Sequence, residues 1–103
     1  MVGDVVLAPV PFTDLSQTKI RPALVLADVG MGDWVVCEMT SQGRRGDIPI
    51  AQADMRRGHL RGDGWVRPNR LNTLSDEVFR RTIGAVSSAK LAEISVAVRG
   101  LFQ

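Results

Sequence analysis

The stretch Ile20 to Ala27, Ile-Arg-Pro-Ala-Leu-Val-Leu-Ala, sets the narrowest limits on the fold. Pro22 fixes its own backbone and pushes Arg21 into an extended conformation. The apolar run behind it carries no polar alternation, which predicts a strand covered on both faces. A permanent cation therefore stands at the mouth of a buried strand. A second stretch, Trp34 to Met39, alternates in the manner of a half-buried strand and runs into Thr40, Ser41 and Gln42. A guanidinium and a hydroxyl, each at a strand end, are suited to grip a phosphate. Arg21 and Thr40 are thus the first candidates for a functional site.

The rest of the chain reads as further short strands and one helix. Gly3 to Val10 is β-branched and apolar, a first strand whose end Pro9 and Pro11 confine to an edge or turn. Phe12 to Thr18 is a polar first loop, and Asp28 to Asp33, with Gly30 and Gly32, a tight hairpin connection. Gln42 to Asp47 forms a basic, flexible loop before a short strand at Ile48 to Ile50. Between Ala51 and Asp63 the pattern suggests a helical turn around Asp54 to Arg57, then a glycine-containing loop. Gly64 to Arg67 and Arg70 to Leu74 read as strand segments interrupted at Pro68, and Phe79 to Val86 as the last strand. Ser87 is a good N-cap for a helix reaching Phe102, with Leu91, Ile94, Val98 and Leu101 along one stripe. Many short strands followed by one helix describe a mainly β fold, a small barrel with a C-terminal helix packed on it.

Length and composition limit the class. The 103 residues suit a single domain over residues 1–103 with its own core. No apolar run approaches the roughly 18 to 20 residues of a membrane helix, and the start of the chain lacks the pattern of a signal peptide. Cys37 is the one cysteine, so an internal disulfide is excluded and a reducing cytoplasm is the expected compartment. The charge is uneven. Residues 1–42 carry two cations against five acids, a net of −3; residues 43–81 carry nine arginines against five acids, a net of +4; the tail carries Lys90 and Arg99 against Glu93, a net of +1. An arginine-rich middle is the footprint of a polyanion binder, with solvated loop charge as the plainer reading.

At the level of motifs the chain resembles a known family. Gly3-Asp4-Val5-Val6 opens it, Pro11-Phe12-Thr13-Asp14-Leu15 lies in the first loop, and Arg21-Pro22-Ala23-Leu24-Val25-Leu26 and Thr40-Ser41-Gln42 follow. Then come Val66-Arg67-Pro68 ahead of Arg70-Leu71-Asn72-Thr73-Leu74, Ile83-Gly84, and the helix opening at Ser87. In order and spacing these fragments resemble the PemK/MazF-like growth inhibitors, the toxin halves of bacterial toxin–antitoxin pairs. The resemblance implies a compact SH3-like β-barrel, usually a homodimer, acting as a metal-independent endoribonuclease on single-stranded RNA. Arg21 and Thr40 match the family's arginine and threonine at the phosphate. The implied reaction is attack of the 2′-hydroxyl on the neighbouring phosphorus, leaving a 2′,3′-cyclic phosphate and a 5′-hydroxyl. A cognate antitoxin is implied as partner, presenting an acidic, amphipathic segment to the basic groove. Where some members carry a glutamate in the first loop, this chain has Ser16; the nearest acid is Asp14, and the general base stays unassigned.

Around the catalytic pair, Lys19, Ser41, Gln42, Arg44 and Arg45 are candidate RNA contacts, and Phe12 a candidate stacking platform. Trp34 and Trp65 read as core or rim. His59, the histidine a ribonuclease would use, sits in a glycine-flanked loop and reads as a solvated residue. One histidine, one cysteine and no clustered carboxylates argue against a zinc site, and no cofactor is implied. Two alternatives stay open: a gyrase-poisoning toxin of a sister family, and a barrel that binds RNA without cutting it.

Overall fold

The computed structural model describes residues 1–103. It contains strands β1 (Asp4–Pro11), β2 (Thr18–Gly30), β3 (Asp33–Thr40), β4 (Ile48–Ile50), β5 (Met55–Gly58), β6 (Gly64–Ser75) and β7 (Arg81–Val86), then helix α1 (Ser88–Gly100). The strands form one curled antiparallel half-barrel in the order β4-β6-β3-β2-β1-β7-β5. The mainly β fold with one C-terminal helix is the architecture the sequence predicts.

β2 lies near the middle of this sheet and is covered on both faces at its centre. Leu24 packs with Val5, Cys37, Val66 and the helix residue Ile94 in one cluster. Ala23 and Val25, pointing the other way, pack with Val6, Ala8 and Val36 in a second. The unbroken apolar run of the sequence thus serves two cores. Ser87 caps α1 by accepting the Lys90 N–H at 3.2 Å. The apolar stripe seats Leu91, Ile94 and Val98 on the sheet, whereas Leu101 lies beyond the helix end and is exposed.

Three local expectations change. The helical turn around Asp54 to Arg57 is instead a 3-10 turn at Gln52–Asp54 followed by strand β5. Asp54 folds its carboxylate back onto the Ala51 N–H at 2.8 Å, ending the turn, and Met55 to Gly58 then pair with β7. β6 runs unbroken through Pro68. The β3–β6 register shifts between Cys37 and Met39, so this bulge accommodates a residue with no N–H to give. The last strand begins at Arg81 because Asp76–Val78 forms a 3-10 turn, with the Ser75 hydroxyl accepting the Glu77 N–H at 3.2 Å.

Candidate functional site

The sheet register brings the two leading candidates together. Ala23 on β2 lies opposite Glu38 on β3 in the last pair of the ladder, and Arg21 and Thr40 stand two residues beyond it, each on its own strand. Period-two alternation turns Arg21, Glu38 and Thr40 to one face. Arg21 Nε stands 3.1 Å from Glu38 Oε1, which fixes the arm of the guanidinium and leaves its terminal nitrogens for another acceptor. The Thr40 Oγ1 accepts the Gln42 N–H at 3.1 Å, so its own hydrogen is free to donate outward.

Both residues line an open groove of about 890 Å³. Lys19, Arg21, Thr40 and Ser41 stand along one side; the β5–β6 loop, with His59 and Arg61, stands along another. Arg81 adds a further cation, while Leu7, Met39, Ile50, Leu60 and Ile83 supply an apolar floor. Asp63 is the one acid among four Lys and Arg side chains, so the groove's charge favours an anionic ligand. The loop is braced by Gln52. Its side-chain amide donates to the Gly58 carbonyl and its oxygen accepts the Leu60 N–H, both at 2.8 Å, on either side of His59. Gly58, at φ +77°, packs so closely on β7 that a Cβ would meet the Ile83 carbonyl oxygen.

The remaining candidates divide. Lys19 and Ser41 line the groove. Phe12 lies instead at a second cavity of about 210 Å³, which also contains Arg21, Glu38, Arg67 and Arg70. Gln42, Arg44 and Arg45 are exposed in the β3–β4 connection and line neither cavity. That connection is pinned by the Arg44 N–H donating to Asp47 at 2.8 Å and by Gly43 lying flat on the Trp65 ring. Asp14, the nearest acid in sequence, lines neither cavity. It accepts the Ser16 N–H and hydroxyl, and the backbone bond above all holds its carboxyl below the usual range. His59, read from sequence as a solvated loop residue, is exposed but faces the groove. No group of three or more His, Cys, Asp or Glu side chains is placed to hold a metal ion.

Glu38 was not foreseen. The signal for it was present: it sits two residues before Thr40, on the face that the β2–β3 hairpin turns toward Arg21.

Residues 1–102 match the model of a family described as the PemK-like, MazF-like toxin of type II toxin–antitoxin systems. The chain belongs to this family. Solved MazF structures share the toxin's fold. Mycobacterium tuberculosis toxin MazF-mt6 superposes with a TM-score of 0.74 at 19% identity, over 96% of this chain and 95% of that one. An endoribonuclease from a mycobacterial species, in complex with its cognate antitoxin, gives 0.73 at 18% identity, over 99% and 93%. The MazE–MazF complex of Deinococcus radiodurans gives 0.73 at 23% identity, over 98% and 94%. No curated protein sequence matches the toxin.

Proposed function

We propose that the toxin is a metal-independent endoribonuclease that cuts single-stranded RNA and is neutralised by a cognate antitoxin. The observation that carries this reading is that Arg21 and Thr40 line the same groove, together with the cations Lys19, Arg61 and Arg81.

In this reading the scissile phosphate sits between the two side chains. Arg21, held at Nε by Glu38, directs its terminal N–H groups at the phosphoryl oxygens, where charge grows as the 2′-oxygen attacks. Thr40 donates its hydroxyl hydrogen to the same phosphate, its oxygen being fixed by the Gln42 N–H. The 2′-hydroxyl gives its proton to solvent as the 2′-O–P bond forms, the P–O5′ bond breaks, and the 5′-oxygen takes a proton from water and leaves as a hydroxyl, so no net proton is consumed. Lys19, Arg61 and Arg81 draw in the flanking phosphates, and the apolar floor receives bases stripped from their stack. Action in the cytoplasm as a homodimer, and blockade of the groove by an acidic antitoxin segment, complete the proposal. Support for a partner of that kind comes from the antitoxin-bound structures that share the fold.

The test is cleavage of a long single-stranded RNA in EDTA by wild type and Arg21→Ala, with product ends mapped. Discrete cuts bearing free 5′-hydroxyls, reduced about a hundredfold in the variant, are expected. A folded wild type that cuts nothing would sink the reading and turn attention to a protein target or to RNA binding alone.

A further inference from the structure

The smaller cavity contains polar groups that the phosphate grip does not use up. Glu38 lies in its wall and is only 8% exposed, yet its one polar partner is Arg21, at a single oxygen. A carboxylate has about four acceptor positions, and buried ones ordinarily receive several donors. Arg67 lines the same cavity with a side chain 12% exposed. Its Nε is buried without a hydrogen-bond partner, the nearest acid oxygen, on Asp47, being 3.6 Å away. Phe12, 39% exposed, presents a flat apolar ring at the same place, and Arg70 adds another cation.

A carboxylate with acceptor positions to spare, two arginines and an aromatic ring lining one cavity describe what a planar heterocycle needs. We propose that this cavity is a subsite that reads a guanine base flanking the scissile phosphate. The proposal rests on the ribonuclease reading for its place on the substrate. Guanine alone among the RNA bases offers two adjacent N–H donors on different atoms, N1–H and N2–H, to the two oxygens of one carboxylate. Its O6 and N7 face the neighbouring edge and accept from arginine. Adenine and cytosine offer an amino group without the second N–H, and uracil a single imino N–H. Phe12 provides the stacking surface. Arg21 lines both cavities, so a base held here lies directly beside a phosphate held in the groove.

The experiment compares oligoribonucleotides that differ only at the nucleotide flanking the mapped cut: guanosine, inosine, which lacks the 2-amino group, or adenosine. Wild type is expected to cut the guanosine oligomer roughly tenfold faster than the inosine one. In Glu38→Gln the guanosine-to-inosine ratio falls to about one, whatever happens to the absolute rate. The ratio separates base reading from any loosening of Arg21. Binding of oligomers with 2′-deoxyribose at the cut, followed by fluorescence anisotropy, reads the same preference without cleavage. Guanine-selective binding without cleavage would keep the subsite and remove the ribonuclease. Cleavage indifferent to guanosine, or a Glu38→Gln ratio equal to that of wild type, would overturn the subsite and leave the ribonuclease standing. Guanosine 5′-monophosphate binding as tightly as the oligomer would overturn the assignment to RNA in favour of a free nucleotide.

Discussion

Arg21 Nε and Glu38 Oε1 meet at 3.1 Å across the β2–β3 ladder, pairing the candidate catalytic cation with a carboxylate that is itself nearly buried. The pair is more than a charge balance. A lone arginine on four rotatable bonds loses entropy when it grips a phosphate; one already tethered at Nε has lost much of it. Arg21→Lys keeps the charge but loses the forked donor geometry. It should retain RNA affinity within a fewfold and lose at least about tenfold in kcat. A Lys variant with wild-type kcat would show that only the charge matters.

Thr40 gives a sharper substitution. Thr40→Val keeps the shape and removes the hydroxyl, so cleavage should fall by about a hundredfold. The Gln42 N–H loses its acceptor as well, at a cost of roughly 1 kcal/mol in urea unfolding. Thr40→Ser restores both properties. If Ser and Val behave alike, the hydroxyl is not the working group.

Affinity for RNA should depend steeply on salt, because the groove's cations act through released counterions. For single strands each phosphate contact contributes about 0.7 to the slope of log K against log salt. Removing Arg81 or Arg61 should flatten that slope by about this amount, while Arg44→Ala and Arg45→Ala, outside the groove, leave it nearly unchanged. An equal effect at all four positions would place RNA over the β3–β4 connection instead.

Cys37 lies wholly inside the sheet, and burial pushes its thiol from 9.0 up to about 12. The unfolded chain therefore releases this proton first as pH rises. Between about pH 9 and pH 12 the folded state binds more protons than the unfolded one, so stability falls with increasing pH. The slope from this one group reaches about 1.4 kcal/mol per pH unit. In Cys37→Ala that component should vanish from urea midpoints measured on either side of pH 9. Below pH 9 the thiol should resist alkylation unless the protein unfolds.

Gln52 braces both sides of His59, and removing that brace should act on the groove without touching its chemistry. Gln52→Ala leaves the Leu60 N–H and the Gly58 carbonyl to water in place of their side-chain partner, at a cost of about 1 kcal/mol locally. Faster amide exchange is expected at Leu60, together with a higher KM. A change confined to kcat would argue that the loop takes part in the chemical step.

Much of this architecture can be read from residue order, because β2 announces itself through Pro22 and an uninterrupted apolar run. The types of Arg21 and Thr40 are legible too, although their sharing one groove depends on strand pairing that no local pattern specifies. Glu38 is hidden by its neighbours. An acid in an alternating strand reads as solvent-facing, and it is covered here because the β6 bulge at Pro68 brings Arg67 and Arg70 to its side. β5 is missed for a related reason: Met55-Arg56-Arg57-Gly58 is an edge strand with exposed arginines, so its composition imitates a loop. Arg44 and Arg45 mislead in the opposite direction. Their charge invites a place in the groove, but the Gly43–Trp65 contact and Asp47 decide where their loop runs.

The long reach between β1 and β7 bears on the order in which the groove is assembled. Arg21, Glu38 and Thr40 belong to one hairpin that can zip locally as soon as residue 40 exists. The groove has to wait, since Arg81 and Ile83 join it only when β7 closes against β1, Asp4 pairing with Ala85. Pairings across so much sequence form late and slowly. On the ribonuclease reading, a chain that stops before β7 carries Arg21, Glu38 and Thr40 without the Arg81 and Ile83 wall of the groove, and should cut RNA poorly.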